Sequence, residues 1–97
     1  MLEIVFNDYG VIVVTGRLDA ASAPRAQMFF DQLPGPCIVD MTELEYISSA
    51  GLGVLLKTHK RLMVIEGGLR LTNVNKNIID VFRYSGFDKL FVIEALE

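Results

Sequence analysis

Short apolar runs separated by turn residues predict the strands of this chain. Residues 2–6 place Leu, Ile and Phe on one face and Glu and Val on the other, which is typical of a strand with one more apolar face. The β-branched run at 11–15 does not alternate, which indicates a central strand that is buried on both faces. Runs at 37–41, 69–74 and 90–93 predict three further strands, the last of them at an edge of the sheet.

Helical spacing of apolar residues predicts three helices between these strands. The first follows Pro24, a residue that is tolerated in the first turn of a helix, and the Pro-Gly-Pro run at 34–36 stops it. The second is expected from about residue 50 to 64 or 65, before a pair of glycines, and the third at 76–85. The predicted order is therefore β-β-α-β-α-β-α-β.

The spacing of these elements predicts an α/β fold. Strands that alternate with helical segments of this length imply βαβ crossovers, which join parallel strands. We expect a single domain over residues 1–97, with a mixed sheet of about five strands, three main helices and an antiparallel opening hairpin. The 52% of hydrophobic residues is sufficient for one core. In such sheets, functional loops cluster at the carboxyl ends of the strands.

Two consecutive serines lie where the predicted third strand leads into the second helix. Ser49 stands at the expected N-cap, so its hydroxyl should be exposed beside backbone N–H groups that have no partner in the helix. These groups and the helix dipole favour negative charge, so a phosphate on Ser49 would be tolerated. A plain cap that stabilises the helix by about 1 kcal/mol is the other interpretation of Ser49. Ser48 is a competing acceptor.

The first helical turn and an earlier loop add residues that favour a contact surface. Gly51 and Gly53 would let the backbone of another protein approach closely, and Val54 lies off the apolar stripe and is expected to be exposed. The loop at 16–22 would lie beside the serines if the second and third strands were parallel neighbours. Asp19 in that loop is either a turn residue that accepts local N–H groups or a part of the same surface.

Charge and cysteine content exclude several classes of function. A net charge of −3 with scattered Lys and Arg argues against nucleic acid as a partner. Cys37 is the sole cysteine, so no internal disulfide can form. The N-terminus lacks the pattern of a signal peptide, and no apolar run approaches the ~18 residues of a membrane-spanning helix. We expect a cytoplasmic protein without a membrane partner.

No residue pattern predicts catalysis, a metal site or a cofactor. His59, the sole histidine, lies on the apolar stripe of the second helix with no second histidine or cysteine to share a metal. The pair Gly51 and Gly53 lacks the spacing of a dinucleotide-binding or P-loop motif, which leaves a nucleotide-binding enzyme without support. No Ser-His-Asp arrangement can be assigned. We therefore expect a protein that is not an enzyme and needs no cofactor.

Three segments of the chain resemble the motifs of STAS domains, the sulfate-transporter and anti-sigma-factor-antagonist domains. Residues 38–56 resemble the strand-loop-helix signature of that family, and Gly16-Arg17-Leu18-Asp19 resembles its G-x-L-D turn. Residues 74–87 resemble its closing helix. The motifs occur in the order of the family over nearly the whole chain, so the resemblance implies a STAS-like domain.

In stand-alone members, the resemblance implies an anti-anti-sigma factor that acts by partner switching. The unphosphorylated form would bind and sequester a serine-kinase anti-sigma factor, phosphorylation by that kinase would release it, and a serine phosphatase would restore the first state. The phospho-accepting serine of the motif falls on Ser49, two residues before Gly51. Ser48 is the alternative. It replaces the aspartate that the best-known antagonists carry before that serine, and Ala50 replaces their frequent second serine.

Two other roles for a STAS domain are compatible with the sequence. The chain could be a STAS subunit of a transporter or scaffold complex, for example one for phospholipid transport, without a phosphorylation switch. It could also be the cytoplasmic domain of an anion transporter. In the switching role, the predicted partner-binding residues are Asp19, Ser22, Ser48, Ser49, Gly51, Gly53 and Val54.

Overall fold

The computed structural model describes residues 1–65 and 67–96, and its sheet begins with a hairpin. Strand β1 (Leu2–Phe6) pairs antiparallel with β2 (Ile12–Leu18), as predicted. Asn7 fixes the turn between them, because its side-chain oxygen accepts hydrogen bonds from the N–H groups of Tyr9 (2.9 Å) and Val11 (3.0 Å). β2 runs past its predicted end, so the first three residues of the G-x-L-D motif belong to the strand.

Four further strands continue the sheet, each in a parallel pair. β3 (Cys37–Asp40) pairs with the first part of β2, and β4 (Leu44–Ile47) pairs with its last part. β5 (Leu69–Val74) pairs with β3, and β6 (Val92–Ala95) pairs with β5. The order is β1-β2-β3-β5-β6, with β4 attached to β2. The sequence predicted about five strands and placed 44–47 in a loop, so β4 is an addition to the predicted order.

Three helices connect the strands, as predicted. α1 (Ala23–Phe30) ends before the Pro-Gly-Pro run, α2 (Ser49–Ile65) occupies the second predicted segment, and α3 (Lys76–Ser85) has the predicted bounds. The side chain of Asn75 caps α3 by accepting a hydrogen bond from the N–H of Ile78 at 3.1 Å. In the described parts of the chain, no helix is both long enough and apolar enough to cross a membrane.

One core lies between the sheet and the three helices. Phe91, which follows a 3-10 turn at Phe87–Lys89, contacts His59 of α2 (ring centres 4.6 Å apart) and Phe82 of α3 (5.6 Å). α2 and α3 therefore lie on the same face of the sheet, and α1 packs beside α2 there, where Arg61 donates to the carbonyl oxygen of Phe30. The fully buried side chains that fill the core are contributed by all three helices and by the strands, and they include Ile12, Leu18, Phe30, Leu55, Leu62, Leu69, Leu71 and Phe82.

His59 is a packed residue of this core. It is 5% exposed, and its Nδ1 accepts a hydrogen bond from the N–H of Leu69 at 2.9 Å. The bond satisfies the first N–H group of β5, which would otherwise be buried without a partner. The interpretation of His59 as a packed helix residue is confirmed.

The other face of the sheet has no helix over it in the part of the chain that the structure describes. In β2, Ile12 and Val14 are buried, whereas Val13 and Thr15 are half-buried and Arg17 is exposed. The prediction that this strand is buried on both faces is therefore wrong, because a single layer of helices covers the sheet. We call the side toward which Val13, Thr15 and Arg17 point the open face.

Candidate functional site

The two serines lie at the carboxyl end of β4, beside the carboxyl end of β2. In this parallel pair Leu18 faces Ile47, and the N–H of Ser48 donates to the carbonyl oxygen of Leu18 at 2.9 Å. The chain leaves β2 at Asp19 and β4 at Ser48, so the segments that follow lie side by side. The structure thus brings the 19–22 loop and the serines together. The pairing of β2 with β4 places them side by side, whereas the sequence suggested pairing of the second and third predicted strands.

The residue that caps α2 is Ser48, and the prediction that Ser49 is the cap is wrong. The Oγ of Ser48 accepts a hydrogen bond from the N–H of Gly51 at 3.2 Å, and its carbonyl oxygen accepts one from the N–H of Leu52 at 2.9 Å. The N–H of Ser48 meanwhile completes the pairing with β2. Because one residue ends the sheet and begins the helix, Ser49 becomes the first residue of α2.

The two hydroxyls differ in accessibility. Ser48 is half-buried and its Oγ is occupied as the cap, whereas Ser49 is exposed. Ser49 also lies in the first turn, where backbone N–H groups lack helical partners and the dipole favours anions. Ser49 therefore combines a reachable hydroxyl with a setting that tolerates a phosphate.

Asp19 and Ser22 form a reciprocal pair of hydrogen bonds at the start of α1. The Oδ1 of Asp19 accepts from the N–H of Ser22, and the Oγ of Ser22 accepts from the N–H of Asp19, both at 3.0 Å. These two bonds close the turn that precedes α1, whose N-cap residue Ser22 makes no side-chain hydrogen bond to the helix itself. The N–H of Ser22, followed by its hydroxyl, holds the pKa of Asp19 below its ordinary value, and Arg17 contributes less. Asp19 thus has the local turn role that the sequence allowed.

The three residues predicted behind the serines have different environments. Gly51 is buried, and a Cβ there would lie 2.6 Å from the carbonyl oxygen of Leu18. It lets α2 approach its own sheet, so the expectation that another protein's backbone approaches at Gly51 is wrong. Val54 is 6% exposed and belongs to the core, so its predicted exposure is wrong as well. Gly53 is exposed, with open space around its Cβ position.

Val54 is buried because α2 packs against α1 as well as against the sheet. Val54, Thr58 and Arg61 lie at helical spacing along α2. The Oγ1 of Thr58 lies 3.5 Å from the Nε2 of Gln27, and Arg61 donates to the carbonyl oxygen of Phe30 at 2.9 Å. This side of α2 therefore faces α1, and the apolar stripe that the sequence predicts describes only the side that meets the sheet.

Gly51→Ala should destabilise the protein, whereas Gly53→Ala in the same helical turn should not. At Gly51 the added methyl would press on the backbone of Leu18, and overpacking of this kind costs about 1 to 3 kcal/mol. At Gly53 the methyl would meet open space and gain up to about 1 kcal/mol of helix propensity. Urea unfolding followed by circular dichroism measures both effects, and equal stability of the two variants would contradict the packing role of Gly51.

Arg17 is a charged side chain next to the serines that sequence reasoning did not single out. Its guanidinium carbon lies 4.3 Å from the ring centre of Tyr46, and its Nε lies 3.8 Å from the Oδ2 of Asp19. Tyr46 faces Arg17 across the β2–β4 pair and precedes Ser48 by two residues. Arg17 is the variable residue of the G-x-L-D motif, so the sequence contains a signal for its position. Its pairing with Tyr46 depends on β4, a strand that the sequence did not predict.

Comparison with known families confirms the resemblance of the motifs. The STAS domain model matches residues 5–96, which is most of the chain. The chain belongs to the STAS domain family. The predicted α/β fold, with a mixed sheet and three main helices, is confirmed by the structure of this STAS domain and by solved structures that share its fold.

Two relatives of this STAS domain are similar over different shares of their length. BtrV of Bordetella bronchiseptica, whose name assigns it to the anti-sigma factor antagonists, is 39% identical over 56 residues, which are 58% of this chain and 48% of BtrV. The anti-sigma-B factor antagonist of Listeria monocytogenes is 28% identical over 95 residues, which are 94% of this chain and 83% of that protein. The matched segment thus spans about half the length of BtrV and most of the Listeria protein.

SpoIIAA of Bacillus, an anti-sigma factor antagonist, has been solved in two forms that share the fold of this STAS domain. The unphosphorylated form gives a TM-score of 0.73 at 19% identity, over 96% of this chain and 87% of that chain. The phosphorylated form gives 0.68 at 18% identity, over 96% and 90%. At these identities the likeness shows the fold, and the same fold is present in both forms of SpoIIAA.

An apolar cavity and the Cys37 thiol lie away from the serines in this STAS domain. A mainly apolar cavity of about 450 Å³ is found at the amino ends of β3 and β5, where Cys37, Ile38 and Leu69 contribute to its walls. Burial raises the pKa of the Cys37 thiol, which disfavours the reactive thiolate. Among residues 1–65 and 67–96, no group of three or more His, Cys, Asp or Glu side chains could hold a metal ion.

Proposed function

We propose that this STAS domain is an anti-sigma factor antagonist that acts by partner switching. The observation that carries the proposal is the exposed Ser49 at the first position of α2, in a family whose members include anti-sigma factor antagonists. The unphosphorylated protein binds and sequesters a serine-kinase anti-sigma factor, which leaves the sigma factor free. Phosphorylation of Ser49 by that kinase ends the complex, and a serine phosphatase restores the binding form.

Ser49 is the acceptor in this proposal because its hydroxyl is reachable. In the transfer, the Oγ of Ser49 attacks the γ-phosphorus of ATP, ADP leaves, and the hydroxyl proton passes to a base of the kinase. Ser48 is a poorer target, because its Oγ accepts a hydrogen bond from the N–H of Gly51 and its backbone N–H donates to the carbonyl oxygen of Leu18. The helix dipole would favour a phosphate on either serine, so access decides between them.

The proposed contact area is smaller than the set of residues that the sequence predicted. Ser49 and Gly53 are exposed and four residues apart, so they share one face of α2. The hydrogen-bonded turn of Asp19 and Ser22 lies next to them across the β2–β4 pair. We define the partner surface as Asp19, Ser22, Ser48, Ser49 and Gly53.

A phosphate on Ser49 acts as an electrostatic switch on this partner surface. It adds about 1.5 to 2 negative charges. In the free protein the phosphate meets water and the unpaired N–H groups of the first turn, so the fold need not change. In the complex the same charge would be buried against the partner, and desolvation without a matching cation costs several kcal/mol. Since about 1.4 kcal/mol is a factor of ten in affinity, this cost is enough to release the partner.

Release of the sigma factor tests the proposed function. Unphosphorylated protein added to a complex of the kinase and its sigma factor should free the sigma factor, which size-exclusion chromatography would detect. Prior incubation of the protein with the kinase and ATP should abolish that release. A STAS subunit of a transporter or scaffold complex would free no sigma factor, and that result would contradict the proposal.

A further inference from the structure

The pairing of β2 with β4 contains a bulge that sets Tyr46 opposite Arg17. Gly16 faces Leu44 and Arg17 faces Tyr46, so Glu45 is the extra residue on β4. On the β2 side, Gly16 has a φ of 96°, a conformation that favours glycine, immediately before Arg17. The backbone of both strands therefore fixes this facing pair.

Arg17 is held in place and is still reachable from solvent. Its guanidinium carbon lies 4.3 Å from the ring centre of Tyr46, within the range of a cation–π contact. The Oδ2 of Asp19 lies 3.8 Å from the Nε of Arg17, a long ion pair between partly exposed groups that stabilises little. Of the Arg17 side chain, 51% is exposed. The positive charge is therefore oriented without being fully neutralised.

The Arg17–Tyr46 platform, as we call these two side chains, lies on the open face beside the partner surface. The next residues of their strands, Leu18 and Ile47, lie 2.7 Å and 2.9 Å from the position of a Cβ on Gly51, so they face α2. Side chains alternate along a strand, so the platform faces the opposite side. Tyr46 is also two residues before the cap of α2, which places the platform at the edge of the partner surface.

Acidic residues neighbour the two members of the platform along the chain. Glu43 and Glu45 are exposed on the segment that contains Tyr46, and Asp19 follows β2. The chain as a whole carries a net charge of −3. On the open face, an anionic group that approaches this end of the sheet is repelled by these carboxylates and attracted at Arg17, so the cation favours docking of such a group at the platform.

We propose that the Arg17–Tyr46 platform receives a carboxylate side chain of the partner and so extends the partner surface onto the open face. This proposal rests on the proposed function, since the partner is the serine-kinase anti-sigma factor. A guanidinium binds a carboxylate through two parallel hydrogen bonds. Because Tyr46 orients the guanidinium before the partner arrives, less conformational freedom is lost on binding. Arg17 is therefore a residue that determines which partner binds.

Calorimetric titration of the unphosphorylated protein with the purified kinase, at several salt concentrations, tests the platform. Arg17→Glu should lower the affinity by about tenfold or more, and its affinity should no longer fall as salt is raised. Arg17→Met keeps an unbranched chain over Tyr46 and should lose about threefold to tenfold, again with a flatter salt dependence. Arg83→Glu makes the same charge change at an exposed position of α3 and should leave the affinity within about twofold.

Ser49→Asp in the same titration separates this proposal from the proposed function. If Ser49→Asp loses binding while Arg17→Glu keeps the parental affinity and salt dependence, the carboxylate contact is overturned and the switch stands. An Arg17→Glu effect that appears only when the kinase holds a non-hydrolysable ATP analogue also overturns the contact, because the anion would then be the nucleotide phosphate. Failure of the parent protein to bind the kinase overturns both proposals.

Discussion

Ser49→Ala should take up no phosphate from the kinase and ATP, whereas Ser48→Ala should still take up a single phosphate. Ser49 is exposed at the first position of α2, and its hydroxyl is the one that an approaching kinase can reach. Ser48 is half-buried, and its hydroxyl accepts a hydrogen bond from the N–H of Gly51. Mass spectrometry of the intact variants after incubation measures the difference directly.

Ser48→Ala, which still takes up phosphate, should be the less stable of the two variants. Ser48→Ala removes the cap of α2, which costs about 1 kcal/mol, so its melting temperature should fall although it is still phosphorylated. Ser49→Ala changes an exposed side chain that is not the cap, so its stability should stay within about 0.5 kcal/mol of the parent. Phosphate uptake by Ser49→Ala together with loss of uptake in Ser48→Ala would assign the acceptor to Ser48.

The elements that the sequence predicted correctly are those with local signals. The opening hairpin has a turn that begins at Asn7, and α3 has both the Asn75 cap and Gly86 at its end. β4 has no such signal, because the bulge at Glu45 places two exposed residues in succession between Leu44 and Ile47. The period of two is lost, and only pairing with β2 makes this segment a strand.

The absence of β4 from the sequence prediction also explains the error at the cap of α2. Without β4, nothing in the sequence indicates that the N–H of Ser48 completes a sheet and that its oxygens begin the helix. A cap position predicts an exposed Ser49, and the residue is exposed as the first residue of the helix. The hydroxyl is thus accessible for a different reason from the one that the sequence suggested.

The error at Val54 comes from the second neighbour of α2, whereas the error at Gly51 comes from the close approach of α2 to Leu18 and Ile47 of its own sheet. The apolar period of a helix identifies the side that meets one surface, but it does not show that another helix covers a second side. Contacts of Thr58 and Arg61 with α1 reveal that second side. A single sequence does not show which distant elements pair. The position of the Arg17–Tyr46 platform depends on such a pairing.

Ser49→Asp should weaken binding of the kinase by about 10- to 100-fold without loss of stability. In the free protein, one negative charge in the first turn of α2 interacts favourably with the helix dipole, by about 0.3 to 1 kcal/mol. The melting temperature should therefore be equal to or slightly above that of the parent. In the complex, the same charge is placed against the partner without a matching cation, and a penalty of about 1.4 to 2.8 kcal/mol gives the expected loss of affinity.

Ser49→Asn is the matched control, because it has nearly the shape of aspartate without the charge. It should bind the kinase within about threefold of the parent, since size alone changes little at an exposed position beside the open space at Gly53. Isothermal titration of both variants separates charge from bulk. If Ser49→Asn loses as much affinity as Ser49→Asp, steric exclusion rather than electrostatic repulsion controls the complex, and a phosphate on Ser49 would then act through its volume.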